Sequence, residues 1–442
     1  MAHAHHDHGH GHEPTGTLTT ERTRALLGGI VIALAVAALI GAFVLRPQGE
    51  RPVLGEELGF SGQLVHATVT QVANQPCANT TEDEGIRCNR FSIHITSGPT
   101  KGRESAFEIA ETDVGTKIHR GDKLVVQYLP ENPPELRYFF QDFQRGPPLV
   151  ALAIIFSVAV IVLGRWQGVR ALLALALTGV ILIGFAFPSI IDGHDPTAVA
   201  LVVAVLIALV ALYLTHGVTE MITVALLGTF AALGLTAILA VVFTRLAHFT
   251  GFGSEDAYYL QFASAQINVK GLILAGIIVG SLGVLDDVTV TQASAVWQLH
   301  EANPSYTARH LYQSAVTIGR DHIASTVNTL VLAYAGASLP LLLLFAQAGR
   351  SLTDVVTGEL IAVEVVRTLV GSIGLVAAVP VTTALAATVV TRGSALRAQA
   401  AAVPAPAPRR ARRTLTAAEA EPTPPAPRAS WDQFRPEDPT DF

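Results

Sequence analysis

Two adjacent carboxylates, Asp286 and Asp287, stand inside a long apolar run that opens at Gly271 and continues through Gly276, Gly280 and Gly283 to Thr289, Thr291 and Gln292. A charge at the centre of a lipid-embedded helix costs about 2.5–3.5 kcal/mol, so each carboxylate needs a cation, hydrogen bonds, water or a proton. The chemistries open to such a pair are a proton or cation relay and a substrate site; a charge network that only fixes helix register is the structural alternative. At 100° per residue, Gly276, Gly280, Gly283, Asp287, Thr291 and Ser294 fall within about a 60° arc. The stripe predicts a close helix crossing along the glycines, with Asp287 pointing into the bundle and Asp286 flanking that seam.

The next apolar run is entered through Gly319-Arg320-Asp321-His322. Asp321, Ser325 and Asn328 share one helical face by their i, i+4, i+7 spacing. Antiparallel packing of these two helices would set that face level with Asp287, with Arg320 as first choice of counter-charge and His322 as the group able to titrate near neutral pH. Elsewhere the polar insertions are weaker. His216 and Glu220 bracket a tight turn and read as solvated loop residues, and Glu364 with Arg367 at i, i+3 reads as a surface pair. Pro380, followed by Thr382 and Thr383, either kinks the last apolar helix or frees backbone carbonyls along a pathway.

Several chemistries are excluded or disfavoured. No Gly-x-x-x-x-Gly-Lys-Ser/Thr loop, His-Glu-x-x-His pair or Gly-x-Ser-x-Gly elbow occurs. Gly319-Arg320-Asp321 lacks the Gly-x-Gly-Asp pattern of intramembrane aspartyl proteases, so a carboxylate-based intramembrane hydrolase is kept only as a minor alternative to a non-enzymatic function. No cofactor and no nucleic-acid partner is expected.

The elements that must position these residues follow from composition. Half of the residues (50%) are hydrophobic and only 14% are charged, which makes the bilayer the expected solvent for most of the chain. Spanning a hydrocarbon core takes about 20 apolar residues. Such runs lie near 26–45, 148–164, 171–191, 197–215, 221–243, 271–294, 327–347 and 368–390, which predicts eight spans. Arg22, Arg24, Arg165, Arg170, Arg309, Arg320, Arg392 and Arg397 then all fall on one side, so the positive-inside rule puts both termini in the cytoplasm of a plasma-membrane protein. The first run is long enough to span, and Arg46-Pro47-Gln48 is unlike a signal cleavage site.

Between residues 46 and 145 the pattern changes to short alternating segments around Leu64–Val69, Phe91–Ile95 and Leu124–Tyr128, separated by Ser97-Gly98-Pro99 and His119-Arg120-Gly121-Asp122. Period two with turn residues between predicts a small extracytoplasmic all-β, barrel-like domain. Cys77 and Cys88, the chain's two cysteines, both lie in it, where a disulfide would persist; pairing is expected, with two free thiols as the alternative. The acidic cluster Glu82, Asp83 and Glu84 nearby reads as a solvated loop. Residues 1–24 form a head with His3, His5, His6, His8, His10 and His12, which could chelate a transition metal or be a flexible tail with adventitious affinity. Residues 392–442 are Pro/Ala-rich, with an Arg409–Arg413 cluster, and are expected to be a disordered cytoplasmic tail.

Gly283-Val-Leu-Asp286-Asp287-Val-Thr-Val-Thr291-Gln292, Gly319-Arg320-Asp321-His322 running on to Ser325, Asn328 and Thr329, and Arg367 followed by Gly371-Ser372-Ile-Gly374 together resemble the YibE/F-like family of bacterial membrane proteins. The resemblance covers roughly residues 145–391, and the β-rich segment is also similar in placement. It implies an α-helical polytopic membrane protein, permease-like, without a settled substrate, and supplies no catalytic residue. The leading expectation is therefore transport of a solute or ion through a polar path made by Asp286, Asp287, Thr291, Arg320, Asp321, His322 and Asn328. The alternative is an envelope scaffold that binds a partner through its β domain. Candidate partners are the lipid bilayer, the solute or ion, a second copy of the chain or an envelope component.

Overall fold

The computed structural model describes residues 21–49, 62–77, 87–110, 117–263, 266–347, 349 and 351–402. The histidine head, Glu82, Asp83 and Glu84, and the Arg409–Arg413 cluster with the tail beyond residue 402 lie outside the described residues. The chain divides into two units, residues 1–397 and 398–442, and every contact named belongs to the first.

After helix α1 (Glu21–Val44) come five strands: β1 (Gln63–Pro76), β2 (Arg87–Ile95), β3 (Glu104–Ala110), β4 (Lys123–Tyr128) and β5 (Tyr138–Phe143). They form one antiparallel sheet in the order β3-β2-β1-β4-β5. Alternation decides which face is inside. Val65, Ala67, Val69, Phe91, Ile93, Ile95, Leu124 and Val126 are buried while their sequence neighbours face out. The sheet curls so that its edges approach: Phe107 on β3 and Phe140 on β5 stack with centroids 6.2 Å apart. A curled open sheet with its own core, rather than a closed barrel, is the observed form. Gly98 (φ 80°) and Gly121 (φ 94°) sit in the turns that punctuate the sequence, in a conformation other residues adopt at a cost. Cys77 and Cys88 are joined, across the residues that link β1 to β2.

The helical part starts at α2 (Gly146–Ile181), continued by a π turn at Leu182–Ala186 and by α3 (Phe187–Ile191). It goes on through α4 (Pro196–His216), α5 (Glu220–Leu246), α6 (Glu255–Ala263), α7 (Val269–Ala302), α8 (Ala308–Ala337), α9 (Leu339–Gln347), α10 (Leu352–Thr357) and α11 (Glu359–Ala402). Six helical stretches among the described residues are long and apolar enough to cross a membrane, or seven if α8 and α9, bent by 60°, form one. The 46-residue stretch from Gly146 to Ile191 is counted once there, although Arg165 (φ 51°, ψ −130°) leaves the helical region. A Cβ on Gly168 would overlap the Val160 carbonyl oxygen, yet residues that far apart in a straight helix are separated by about 12 Å. The chain therefore folds back sharply at Arg165, in the connection expected between the second and third apolar runs.

The core of the helical part lies among α4, α5, α7 and α11, on residues such as Val203, Ala204, Leu226, Ile278, Leu285 and Val379. Asp195, Thr219, Asn268 and Thr307 cap α4, α5, α7 and α8 with side-chain acceptors, satisfying backbone donors that helix starts leave free. Much apolar surface stays outward, with Leu163 86% and Ile155 65% exposed on α2.

Candidate functional site

α7 carries the two carboxylates, and the structure reverses their expected roles. Its bulky residues Ile278, Leu282, Leu285, Val288 and Val296 pack inward, and Asp286 lies at the edge of that face, mostly buried. Asp287 lies on the opposite, open side, its side chain 70% exposed. Branched apolar side chains gain more from burial than glycines do, so they claimed the interior and left the small-residue stripe outside. One oxygen of Asp286 is buried without a hydrogen-bond partner among the described residues, and the Thr229 hydroxyl on α5 lies within reach of the carboxyl group.

Behind Asp286 runs a polar seam through the core. Thr229 and Thr289 hydroxyls are 2.7 Å apart, Thr289 donates to the Asp286 carbonyl at 3.1 Å, and Thr383 on α11 donates to Oε1 of Gln292 at 2.9 Å. Pro380 stands within a continuous α11, and Thr382 and Thr383 one turn on are fully buried. A close glycine-lined crossing does exist, but between α5 and α11. A Cβ on Gly228 would overlap Thr382, and one on Gly374 would overlap Thr236, two reciprocal contacts that run antiparallel.

The glycine stripe of α7 has a different use from the one expected. Gly276 makes room for the Arg367 guanidinium, with Nη2 3.2 Å from where a Cβ would stand, and Gly280 faces the Tyr334 hydroxyl at 3.6 Å. Around them is a small cavity of ≈ 10 Å³, lined also by Ser281, Thr368 and Gly371, comparable with the space for about one water. Glu364 and Arg367 form the expected pair at 2.7 Å, but half-buried rather than fully solvated: their side chains are 28% and 25% exposed and the arginine Nε is buried. Gly283 has open space beside it. One turn further on, His322 Nε2 approaches Asp287 Oδ2 at 3.7 Å, and the Thr291 hydroxyl donates to the Asp287 carbonyl at 2.7 Å. Below Ser294 the stripe reaches a cavity of ≈ 810 Å³ between α1 and α7, whose walls include Arg24, Glu220, Trp297 and Glu301. Glu220 is no solvated loop residue, since it accepts from Arg24 at 2.7 Å and ties α1 to the start of α5.

Arg320, Asp321 and Asn328 are corrections of a second kind. All three are exposed on α8, and neither Arg320 nor Asp321 takes part in an ion pair among the described residues. His322 is on the inward side of α8 and its neighbours in sequence are turned away by about 100° per residue, so Arg320 is not the counter-charge of either aspartate. Thr229, Tyr334 and the buried setting of Arg367 escaped the sequence reading. Thr229 and Thr236, seven residues apart, share a face of a mainly apolar helix, and that spacing is the signal the sequence offers. No group of three or more potential metal ligands occurs among the described residues.

The family model described as YibE/F-like protein matches residues 152–392, which takes in α7, α8 and most of α11. The chain belongs to the YibE/F-like family. No curated protein and no solved structure gives a match. The matched region of this family member holds both carboxylates, the Thr229–Thr289 seam and the Glu364–Arg367 pair, whereas the curled sheet and α1 lie before it.

Proposed function

We propose that this YibE/F-like chain is a permease-type transporter of the plasma membrane, with eight crossings and both termini in the cytoplasm. Six long apolar stretches, the reversal at Arg165 and the bent pair α8–α9 support eight crossings. The transport path follows the open stripe of α7, from the Arg367–Tyr334 cavity past Asp287 to the cavity beside Ser294. The observation that carries this reading is the Asp287–His322 approach at 3.7 Å, since neither side chain has another ion-pair partner among the described residues. A carboxylate and an imidazole at that spacing can share a proton or hold a cation between them.

The test is proton movement in proteoliposomes that hold a pH-sensitive dye and an imposed potassium diffusion potential. The intact chain is expected to acidify or alkalinise the lumen, Asp287→Asn to abolish the response, and Asp321→Asn to leave it unchanged. Absence of any response with the intact chain, or an unchanged response with Asp287→Asn, refutes the proposal.

A further inference from the structure

Among the described residues, none packs on the side of α8 turned away from α7. Leu311, Ala315 and Gly319 are buried on the contact side, and His322 meets Asp287 from it. Opposite them Thr317, Asp321, Ala324, Asn328, Val331 and Ala335 are all exposed. Their successive steps are four, three, four, three and four, the spacing that keeps one seam facing a second helix over several turns. Ala324 and Ala335 are small enough for a close approach and Thr317, Asp321 and Asn328 can hydrogen-bond across it, both features of interfaces between lipid-embedded helices. Arg320 borders the seam beside Asp321, and both lack an ion-pair partner among the described residues.

Facing acyl chains, this side would leave the primary amide of Asn328 unsatisfied, and Arg320 and Asp321 stand side by side at the cytoplasmic entry to the same seam. The groups are complementary to themselves. An amide both donates and accepts, so Asn328 can pair with its own copy across a two-fold axis, and a cation adjacent to an anion on one helix matches the same two groups on a parallel one. Copies inserted in the same direction run parallel and set equal positions at equal depth.

We propose that two copies of this chain associate through α8, with Asn328 against the partner's Asn328 and Arg320 of each copy paired with the partner's Asp321. The proposal rests on the membrane reading above and names the surface and pairing through which the chain dimerises.

The intact chain supplies a clean background, because its two cysteines are bonded to each other and no free thiol competes. In membranes, Ala324→Cys and Asn328→Cys are expected to give a reducible band of doubled mass on copper-phenanthroline oxidation, and Leu163→Cys on the exposed side of α2 is expected to give none. Arg320→Asp should lower the dimer fraction in nanodiscs by about tenfold, and adding Asp321→Arg should restore it. Seam cysteines that crosslink no better than Leu163→Cys, together with a monomeric mass for the unaltered chain in nanodiscs, overturn the proposal, as does crosslinking to a different protein alone. Carbonate washing separates the two ideas. A chain stripped from membranes refutes the membrane reading, whereas a chain retained but monomeric refutes only the dimer.

Discussion

Thr383 and Gln292, 91 positions apart, are joined side chain to side chain between α11 and α7, with Oγ1 2.9 Å from Oε1 and both residues fully buried. The same hydroxyl lies 2.6 Å from the Val379 carbonyl, and the amide nitrogen of Gln292 has no partner among the described residues. This contact fixes the register of two core helices. It also places a strongly polar group where only one neighbour satisfies it.

Removing one partner should therefore cost more than removing both. Thr383→Val is expected to lower stability by about 1–3 kcal/mol, because Gln292 loses its donor without regaining water. Thr383→Val with Gln292→Leu should recover part of that loss. Thermal midpoints in detergent for the four members of the cycle give the coupling directly.

The reversal at Arg165 uses a backbone conformation (φ 51°, ψ −130°) that glycine adopts freely and a side chain resists, at roughly 1–3 kcal/mol. Arg165→Gly should fold at least as well as the native chain, and Arg165→Val should fold less well. Gly168→Ala should be worse than either by about 2–3 kcal/mol, since its Cβ meets the Val160 backbone, which cannot move aside. Yield of monodisperse protein and thermal midpoint report the order.

For the sheet, the bond between Cys77 and Cys88 closes a loop of 11 residues in sequence separation, which constrains the unfolded chain by about 3 kcal/mol. Cys77→Ser with Cys88→Ser should lower the denaturant midpoint of the β-domain transition. The midpoint of a helical-part transition followed separately should stay in place.

Between β5 and α2, the Arg145 guanidinium bonds the Asp142 carboxylate, and the Phe143 amide donates to it at 2.8 Å. The arginine first and the amide second hold Asp142 below its ordinary range. A folded value below the unfolded one means the contribution is complete at neutral pH and fades as pH falls through the lowered folded value. Arg145→Ala should move the Asp142 titration, followed by carboxyl-carbon NMR, back up towards the ordinary carboxylate value. No upward movement would show that the ion pair is absent in solution.

Much of the fold is legible in the sequence. Runs of about 20 apolar residues located the long helices, period-two segments located β1, β2 and β4, and two cysteines in one segment pointed to the bond now seen. Arg165 and Arg170 marked the reversal, and the three motifs marked the family. These features are local, because propensity, hydrophobic period and turn chemistry act within a few residues of chain.

Direction was another matter. Periodicity places Asp287 and the glycines on one face of α7 but carries no sign saying which face is inside; that was settled by what α4, α5 and α11 bring against Leu282, Leu285 and Gln292. Arg320 and His322, two residues apart, ended on different sides of α8 for the same reason. The sequence by itself determined the long apolar helices, three of the five strands and the polar residues that the helical part must accommodate. Only tertiary packing decided which carboxylate is buried beside Thr229 and which meets His322, since burial free energy belongs to the contact between helices and not to either helix alone.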